Sequence, residues 1–413
     1  MTCFLPFVFL FASVVLAPAQ TVGERLPAWE PGFLDIHQIN TGRGNSALLV
    51  FPDGTSLLID AGDGGWGVGD PNHTNPKPDV SRSAGEVIAR YARRVLGHDA
   101  EPAINYGYLT HLHSDHMGAL VESSPASEHG PYRRAGFSEV DEHLPIARMI
   151  DRGWPKYEYP APIDDPSARN YMAFVKARVA AGKMRAEQLR PGRRDQIVLL
   201  RNPEKYPEFE VRNIAANGEV WTGVGDATRQ HFPAQYRDLS RQDWPTENQC
   251  SQAIRISYGR FDYYSGGDMP GNPPAGAPPW QDVETPVAKA VGPVEVAVAN
   301  HHGNRDSTNA FFVSALRPRL WILPVWSSDH PGHDVLDRML SKRLYPDDRD
   351  VLATNMMKVN RDVIGPMLDR LLVSQGHILI RVEPGGGSYR AIVIEDSDES
   401  MRVTAVHGPY QAR

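Results

Sequence analysis

Short apolar runs separated by turn residues dominate the chain from residue 34 onward and predict β-strands. The first runs cover residues 34–39, 46–51, 56–60 and 104–109, and their lengths are typical of buried strands. The residues Pro52-Asp53-Gly54-Thr55 lie between the second and third runs and predict a tight turn. Residues 84–96 change to a helical period, and Ser83 followed by Glu86 forms a capping-box pattern at its start.

Strand-like runs return in the second half of the chain and alternate with helical segments. Strands are predicted at residues 253–258, 260–265, 294–299 and 320–325, a helix at 335–340, and a final hairpin at 377–382 and 389–395. Two β-rich halves that each carry helices predict an α+β fold, specifically an αββα sandwich. Residues 20–413 are expected to form one such domain.

Residues 121–210 interrupt this pattern. The stretch is rich in Pro, Tyr, Arg and Asp, and only residues 167–181 have a helical pattern. We interpret it as an insertion that lies over the functional site, because long ordered loops are where substrate selection is usually built.

The N-terminus has the pattern of a targeting signal. Residues 4–16 are apolar and uncharged, and Ala17-Pro18-Ala19 is an A-x-A cleavage pattern. We therefore expect a signal peptide at residues 1–19 and export to the periplasm or the medium, with a short membrane anchor as the alternative. No later apolar run is long enough to span a membrane. Removal of the leader with Cys3 would leave Cys250, which we expect to be a buried small hydrophobe.

Charge limits the partners of the protein. The 413 residues include 43 Lys and Arg against 50 Asp and Glu, a formal net charge of −7. A net acidic surface repels phosphate backbones and argues against bulk, nonspecific binding of nucleic acid.

The candidate chemistry is concentrated in Thr110-His111-Leu112-His113-Ser114-Asp115-His116, directly after a predicted strand. Neutral imidazole and carboxylate groups suit Zn²⁺, and four of them lie within six residues. A polar turn that is rich in histidine by chance is the alternative. The sequence therefore predicts a metal site with His111, His113, Asp115 and His116 as ligands.

Two later segments offer the remaining ligands, each directly after a predicted strand. Asp268 follows two glycines and could bridge two metal ions, while His301 and His302 form an adjacent pair. An ordinary turn and a hydrogen-bonded core pair are the respective alternatives. Asp115 or Asp268 is also the candidate catalytic group that accepts a proton.

The order of these motifs resembles the metallo-β-lactamase superfamily. The segment Leu57-Leu58-Ile59-Asp60-Ala61-Gly62 is similar to its strand–turn aspartate, and HxHxDH, a late Asp and a late His follow. More narrowly, four segments resemble the β-lactamase-like domain of ComEC-type DNA-uptake proteins. They are residues 39–46, Glu247-Asn248-Gln249-Cys250-Ser251, His301-His302-Gly303, and His330-Pro331 with Thr354.

The resemblance implies two metal ions. One would be bound by His111 and His113, and the other by Asp115, His116 and a late histidine, for which we prefer His302 over His301. Asp268 would bridge the ions, and Asp60 would orient the motif from behind.

Two positions depart from the family pattern. A third histidine for the first ion is missing, and Asn217 stands in the corresponding stretch as a weak ligand or, as we favour, a turn residue. His129, His143 and His231 are expected on surface loops instead. Asn45 replaces the aspartate of the uptake proteins. The sequence is therefore compatible with either one or two bound zinc ions.

These features predict an exported hydrolase that uses a zinc-activated water. The resemblance favours a phosphodiester substrate, and the charge favours a small one. The alternatives are a carbonyl substrate such as a lactone, thioester or β-lactam, and a non-catalytic binding protein with a decayed one-metal site. A second set of side chains could form an anion- or choline-recognising pocket, although we favour ordinary loop packing: Arg134, Arg152, Tyr157, Tyr159 and Tyr171.

Overall fold

The structure is a computed structural model that describes residues 20–413. The predicted signal peptide, with Cys3, lies outside the described residues. Within the part of the chain that is described, no helix combines the length and the apolar character needed to cross a membrane.

Strands make up most of the regular structure of residues 20–413. In chain order they are β1 (Leu34–Gln38), β2 (Ala47–Val50), β3 (Ser56–Ile59), β4 (Ile104–Tyr108), β5 (Ile146–Asp151), β6 (Arg185–Gln188), β7 (Phe209–Ala216), β8 (Glu219–Trp221), β9 (Thr228–Gln230), β10 (Ala253–Tyr258), β11 (Phe261–Ser265), β12 (Val296–Val298), β13 (Leu320–Leu323), β14 (Asp350–Ala353), β15 (His377–Val382), β16 (Ser388–Ile394) and β17 (Val403–Gln411).

The strands form two large mixed sheets. The first has the order β17-β16-β15-β1-β2-β3-β4-β5-β6, and the second has the order β14-β13-β12-β11-β10-β7-β8-β9. The α-helices are α1 (Ala84–Val95), α2 (Ser114–Met117), α3 (Phe137–His143), α4 (Pro166–Ala180), α5 (Glu284–Val291), α6 (Ala310–Leu316), α7 (His333–Leu340) and α8 (Lys358–Ile364).

Three hydrophobic clusters determine how these elements stack. The middle cluster joins Leu49 of the first sheet to Ile256 of the second, so the two sheets pack face to face. A second cluster packs α1, α3 and α4 on the outer face of the first sheet. The third packs α5, α6 and α7 on the outer face of the second sheet. The predicted α+β class is therefore observed, with both faces of the central strands buried, which explains their continuous apolar runs.

Most predicted elements are present with ends shifted by one or two residues. The start of α1 matches the capping prediction in part. Ser83 Oγ accepts the Glu86 backbone N–H at 3.2 Å, but the Glu86 carboxylate pairs with Arg82 at 3.0 Å and not with the backbone of Ser83.

Residues 121–210 contain more regular structure than the sequence indicated. They form α3, β5, α4 and β6, and the two strands extend the first sheet beyond β4 in parallel. Charged residues of β5 and of the edge strand β6 break the alternation that a pattern-based prediction needs. From this stretch, Arg152 and residues 160–165 line a cavity that includes His113.

The parallel strands of each sheet bring the candidate ligands together. β3 and β4 are parallel in the first sheet, as are β11 and β12 in the second. Ligand-bearing turns follow the carboxyl ends of these strands, where open α/β sheets commonly place their sites.

Candidate metal centre

The histidine motif forms a tight turn at the end of β4. His111 and His113 precede the four-residue helix α2, which carries Asp115 and His116. The backbone of Gly62 passes against this turn so closely that a Cβ there would lie 1.8 Å from the Asp115 carbonyl oxygen. A glycine is therefore required behind the motif, a constraint of close backbone approach.

One group of ligand atoms combines Asp115, His116, Asp268 and His302. His116 Nε2 lies 3.1 Å from Asp268 Oδ1 and 3.4 Å from Asp115 Oδ2. His302 Nε2 lies 3.1 Å from Asp115 Oδ2 and 3.6 Å from Asp268 Oδ1. Two ligands on one tetrahedral zinc ion, at bonds of about 2.0–2.1 Å, are about 3.4 Å apart. The spacing of the four side chains therefore fits a single ion.

A second group combines His111, His113 and Asp268. His111 Nε2 lies 3.1 Å from His113 Nδ1 and 3.7 Å from Asp268 Oδ2. Two imidazoles and one carboxylate match the three-ligand pattern of catalytic zinc sites, which keep a position open for water or substrate.

Asp268 is common to both groups, and its two oxygens face different partners. Oδ1 faces His116 and His302, whereas Oδ2 faces His111. The Asp268 side chain is only 3% exposed, and its backbone N–H donates to Ser251 Oγ at 3.2 Å. Asp268 therefore directs one oxygen at each group, and its bridging of two ions stays a prediction.

The structure separates the two late histidines. His302 is buried with its Nδ1 3.1 Å from the Pro324 carbonyl oxygen, which leaves Nε2 directed at the ligand group. His301 is partly exposed, and its Nδ1 lies 2.6 Å from Asp306 Oδ1. Its Nε2 remains 3.7 Å from Asp268 Oδ2, but His301 belongs to neither ligand group.

Backbone strain accompanies this placement. His301 and His302 both have positive φ, 46° and 54°, ahead of Gly303. Non-glycine residues in this region cost of order 1 kcal/mol or more each and cluster at functional sites.

Asp60 orients the motif from behind, as predicted. Its carboxylate accepts the Thr110 backbone N–H at 2.8 Å and the Thr110 hydroxyl at 2.9 Å, and lies 2.7 Å from His116 Nδ1. Asn45 donates to the same carboxylate at 2.9 Å and accepts from Gln38. Asn45 is therefore part of the support of Asp60 and not a ligand.

Asn217 is a turn residue, as favoured from the sequence. It lies between β7 and β8 with φ of 53°, and its side chain is bonded to Arg152. Arg152 Nη1 donates to Asn217 Oδ1 at 3.1 Å, and Asn217 Nδ2 donates to the Arg152 carbonyl at 2.8 Å. Both ends of the amide are thus used, and Asn217 offers no free ligand atom.

Arg152 forms a buried ion pair with Glu247 that the sequence did not reveal. The guanidinium is 1% exposed, and its Nε donates to Glu247 Oε1 at 2.6 Å. The same oxygen accepts the Leu112 backbone N–H at 2.7 Å, so the pair braces the motif. Glu247 directly precedes the Asn-x-x-Ser segment that resembles the uptake proteins. That adjacency is the one sequence feature that could have indicated that Glu247 lies near the motif.

Two further residues contact His302 without being predicted ligands. The His330 ring stacks on it at 4.8 Å, and the Trp326 ring meets its edge at 5.3 Å. Burial lowers the pKa of His330 to about 3, so this ring is neutral beside the ligands.

The charge of the neighbouring histidines keeps the carboxylates of Asp115 and Asp268 ionised. Burial by itself would raise the pKa of Asp115 and of Asp268, but His116 and His302 outweigh it and hold both well below the ordinary value. Burial and the neighbouring His116 lower the pKa of His111. For His116 the surrounding carboxylates outweigh burial, and its pKa is raised.

A cavity of about 350 Å³ reaches the motif at His113. Its walls come from residues 160–165 and 241–247, with Ile163 and Trp244 among the apolar side chains. Arg241 lies over the Trp244 ring at 4.5 Å. The cavity therefore opens onto one member of the three-ligand group, His113.

The remaining candidates lie elsewhere. His129 is exposed in a loop, but His143 ends α3 and His231 follows β9 half-buried, so the loop prediction is confirmed for His129 and not for His143. Cys250 is fully buried as expected, and burial raises its thiol pKa to about 12. Tyr157 and Tyr171 both donate to Asp151, which is ordinary packing.

Comparison of the sequence with the models of known protein families and with curated proteins gave no match.

Proposed function

We propose that the chain is a metal-dependent hydrolase of the metallo-β-lactamase type. The observation that carries the proposal is Asp268, whose two carboxylate oxygens face two separate ligand groups 3.1–3.7 Å away. Support also comes from the order of Asp60, the histidine motif, Asp268 and His302, and from two face-to-face sheets with helices on both outer faces.

Zinc is the proposed metal because the donor set is imidazole nitrogen and carboxylate oxygen at tetrahedral spacing. Bound zinc supplies a water of lowered pKa near neutral pH and a positive charge that polarises a substrate oxygen. His111, His113 and Asp268 would hold the ion with the open position, so the missing third histidine does not make this site unfit. Asp115, His116, Asp268 and His302 would hold the other ion.

The two carboxylates, Asp268 and Asp115, have different proposed roles. Asp268 is almost fully enclosed and suits a bridging role, whereas the Asp115 side chain is 14% exposed. The neighbouring histidines keep Asp115 ionised, and its partial exposure makes it the proposed acceptor of a proton from the attacking water. The cavity at His113 admits the substrate and positions it beside these groups.

A small phosphodiester outside the cytoplasm is the proposed substrate class. The resemblance to the uptake-protein domain favours a phosphodiester bond, and the net charge of −7 disfavours long polyanions. The leader pattern at residues 1–19 supports export.

Metal content is the first test. Elemental analysis should find one to two zinc ions in the wild type, with loss in His113→Ala and no loss in the control His129→Ala, since His129 is exposed and outside both ligand groups. A zinc content far below one ion per chain in the wild type would exclude the proposal.

Substrate class is the second test. Metal-loaded protein should hydrolyse bis(p-nitrophenyl) phosphate, and chelation should abolish the activity. Hydrolysis of only nitrocefin or a lactone panel would replace the phosphodiester with a carbonyl substrate. Zinc binding without any turnover would favour a binding protein.

A further inference from the structure

A second cavity of about 350 Å³ lies apart from the metal ligands and is rich in arginine. Arg43, Arg82 and Arg134 line it, together with Asp63 and Trp66. None of the seven predicted metal ligands is among the residues that line it. We name it the arginine cavity.

The positive charge of this cavity is only partly neutralised. Arg82 Nε pairs with Glu86 at 3.0 Å, and Arg43 Nη1 lies 3.4 Å from Asp63 Oδ2. Asp63 is also engaged by the backbone N–H groups of Gly65 and Ala84. Arg134 forms no ion pair within 4.0 Å among residues 20–413, although its charge opposes the rise that burial causes in the pKa of Glu139.

Two guanidinium nitrogens are buried here without an acceptor. Within the described chain, the Nε atoms of Arg43 and Arg134 are inaccessible to solvent and have no hydrogen-bond partner. A buried polar group normally has a partner, and each missing bond costs free energy. Neither arginine therefore has all of its N–H donors satisfied within residues 20–413.

Shape and charge together indicate the ligand. Guanidinium groups that come from three separate segments suit an anion with several oxygens, and arginine binds phosphate through paired N–H donors. The cavity is much larger than a phosphate ion, and Trp66 provides an aromatic wall for an organic remainder.

Trp66 also connects this cavity to the metal centre. Its ring stacks on His73 at 4.1 Å and on Trp326 at 4.6 Å, and Trp326 meets the edge of His302. A molecule that binds in the cavity and shifts Trp66 would therefore also displace Trp326, which contacts His302.

We propose that the arginine cavity binds a phosphate group, either free or carried on a small phosphomonoester. The site is separate from the metal ligands and does not depend on the proposed hydrolase activity. If the chain does hydrolyse phosphodiesters, it would release such a phosphomonoester as product.

Calorimetric titration tests the site with inorganic phosphate and phenyl phosphate on the metal-loaded protein. Arg134→Gln should weaken binding about tenfold or more, because a charge-assisted hydrogen bond is lost. Arg133→Gln removes the same charge from the next residue, which is exposed and does not line the cavity, and should change binding less than about twofold. Neither variant alters a metal ligand.

The outcomes separate the sources of binding. Tighter binding of phenyl phosphate that Trp66→Ala removes identifies a phosphomonoester, whereas equal binding of both probes identifies free phosphate. Equal affinity in wild type, Arg134→Gln and Arg82→Gln would overturn the proposal, because the probes would then bind only at the metal ions. Arg82→Gln also serves as the second variant if Arg134→Gln does not fold.

Discussion

At the scale of single residues, the candidate metal centre is held in place by side chains that belong to neither ligand group. Asp60 has a φ of 57° and makes contacts to Thr110, Asn45 and His116. It fixes both the turn of the motif and the orientation of one imidazole. Such outer partners influence metal affinity nearly as strongly as the ligands themselves.

Asp60→Asn should weaken zinc binding about 10–100-fold, because His116 loses its negatively charged partner. Competition with a chromophoric chelator measures the affinity. Asp53→Asn is the matched control, since Asp53 is also buried and accepts backbone N–H groups, from Thr55 and Arg201. Equal zinc affinity in wild type and Asp60→Asn would contradict this role.

The Arg152–Glu247 pair makes a second prediction at this scale. Arg152→Met should lower the free energy of unfolding by about 3–5 kcal/mol, because Glu247 is left charged and mostly buried without its partner. Adding Glu247→Gln should restore part of the loss, since the amide oxygen can still accept from Leu112. Denaturant unfolding of the two single variants and the double variant measures this. Strictly additive effects would show that the pair is not coupled.

At the scale of elements, helix ends and strand ends decide where the functional groups lie. Asp165 caps α4 by accepting the Ala168 backbone N–H at 2.8 Å, and it also lines the cavity at His113. The end of this helix therefore determines the wall beside the three-ligand group. Arg152, which directly follows β5, lines the same cavity.

Asp165→Ala should lower the free energy of unfolding by about 0.5–2 kcal/mol through loss of this cap. The neighbouring Asp164 is 94% exposed and makes no cap, so Asp164→Ala should leave stability nearly unchanged. Thermal unfolding of both variants tests the difference. An equal effect of the two substitutions would show that the cap contributes nothing.

At the scale of the whole molecule, stability comes from three apolar clusters that contain buried titratable groups. His37 is 1% exposed near Asp35 and Arg381, and its Nδ1 lies 3.0 Å from the Tyr91 hydroxyl. Burial lowers its pKa from the ordinary 6.5 to about 4. The folded protein therefore excludes a proton that the unfolded chain binds below pH 6.5.

Stability should consequently fall as pH drops through the window from about 6.5 to 4. His37 alone accounts for a loss of about 2 kcal/mol between pH 7 and pH 5. His37→Gln cannot titrate, so its free energy of unfolding should fall by that much less over the same range. Denaturant unfolding at the two pH values is the measurement, and parallel losses in both proteins would refute the assignment.

The sequence by itself determined the strands of the buried sheets, the helix α1 and the ligand types around His111 and Asp268. Apolar periodicity and the spacing of ligand-type side chains are local properties, so they can be read along the chain. Their local character also explains the failure at β5 and β6. The edge strand β6 is polar, and Arg148 and Asp151 interrupt the apolar residues of β5, so neither strand has an apolar alternation.

Only the tertiary structure decided the relations between distant segments. It placed His302, and not His301, in the four-residue ligand group, and it engaged Asn217 with Arg152. It also gathered three arginines from separate segments into one cavity. These outcomes depend on distances between residues far apart in the chain, and packing of the two sheets determines those distances.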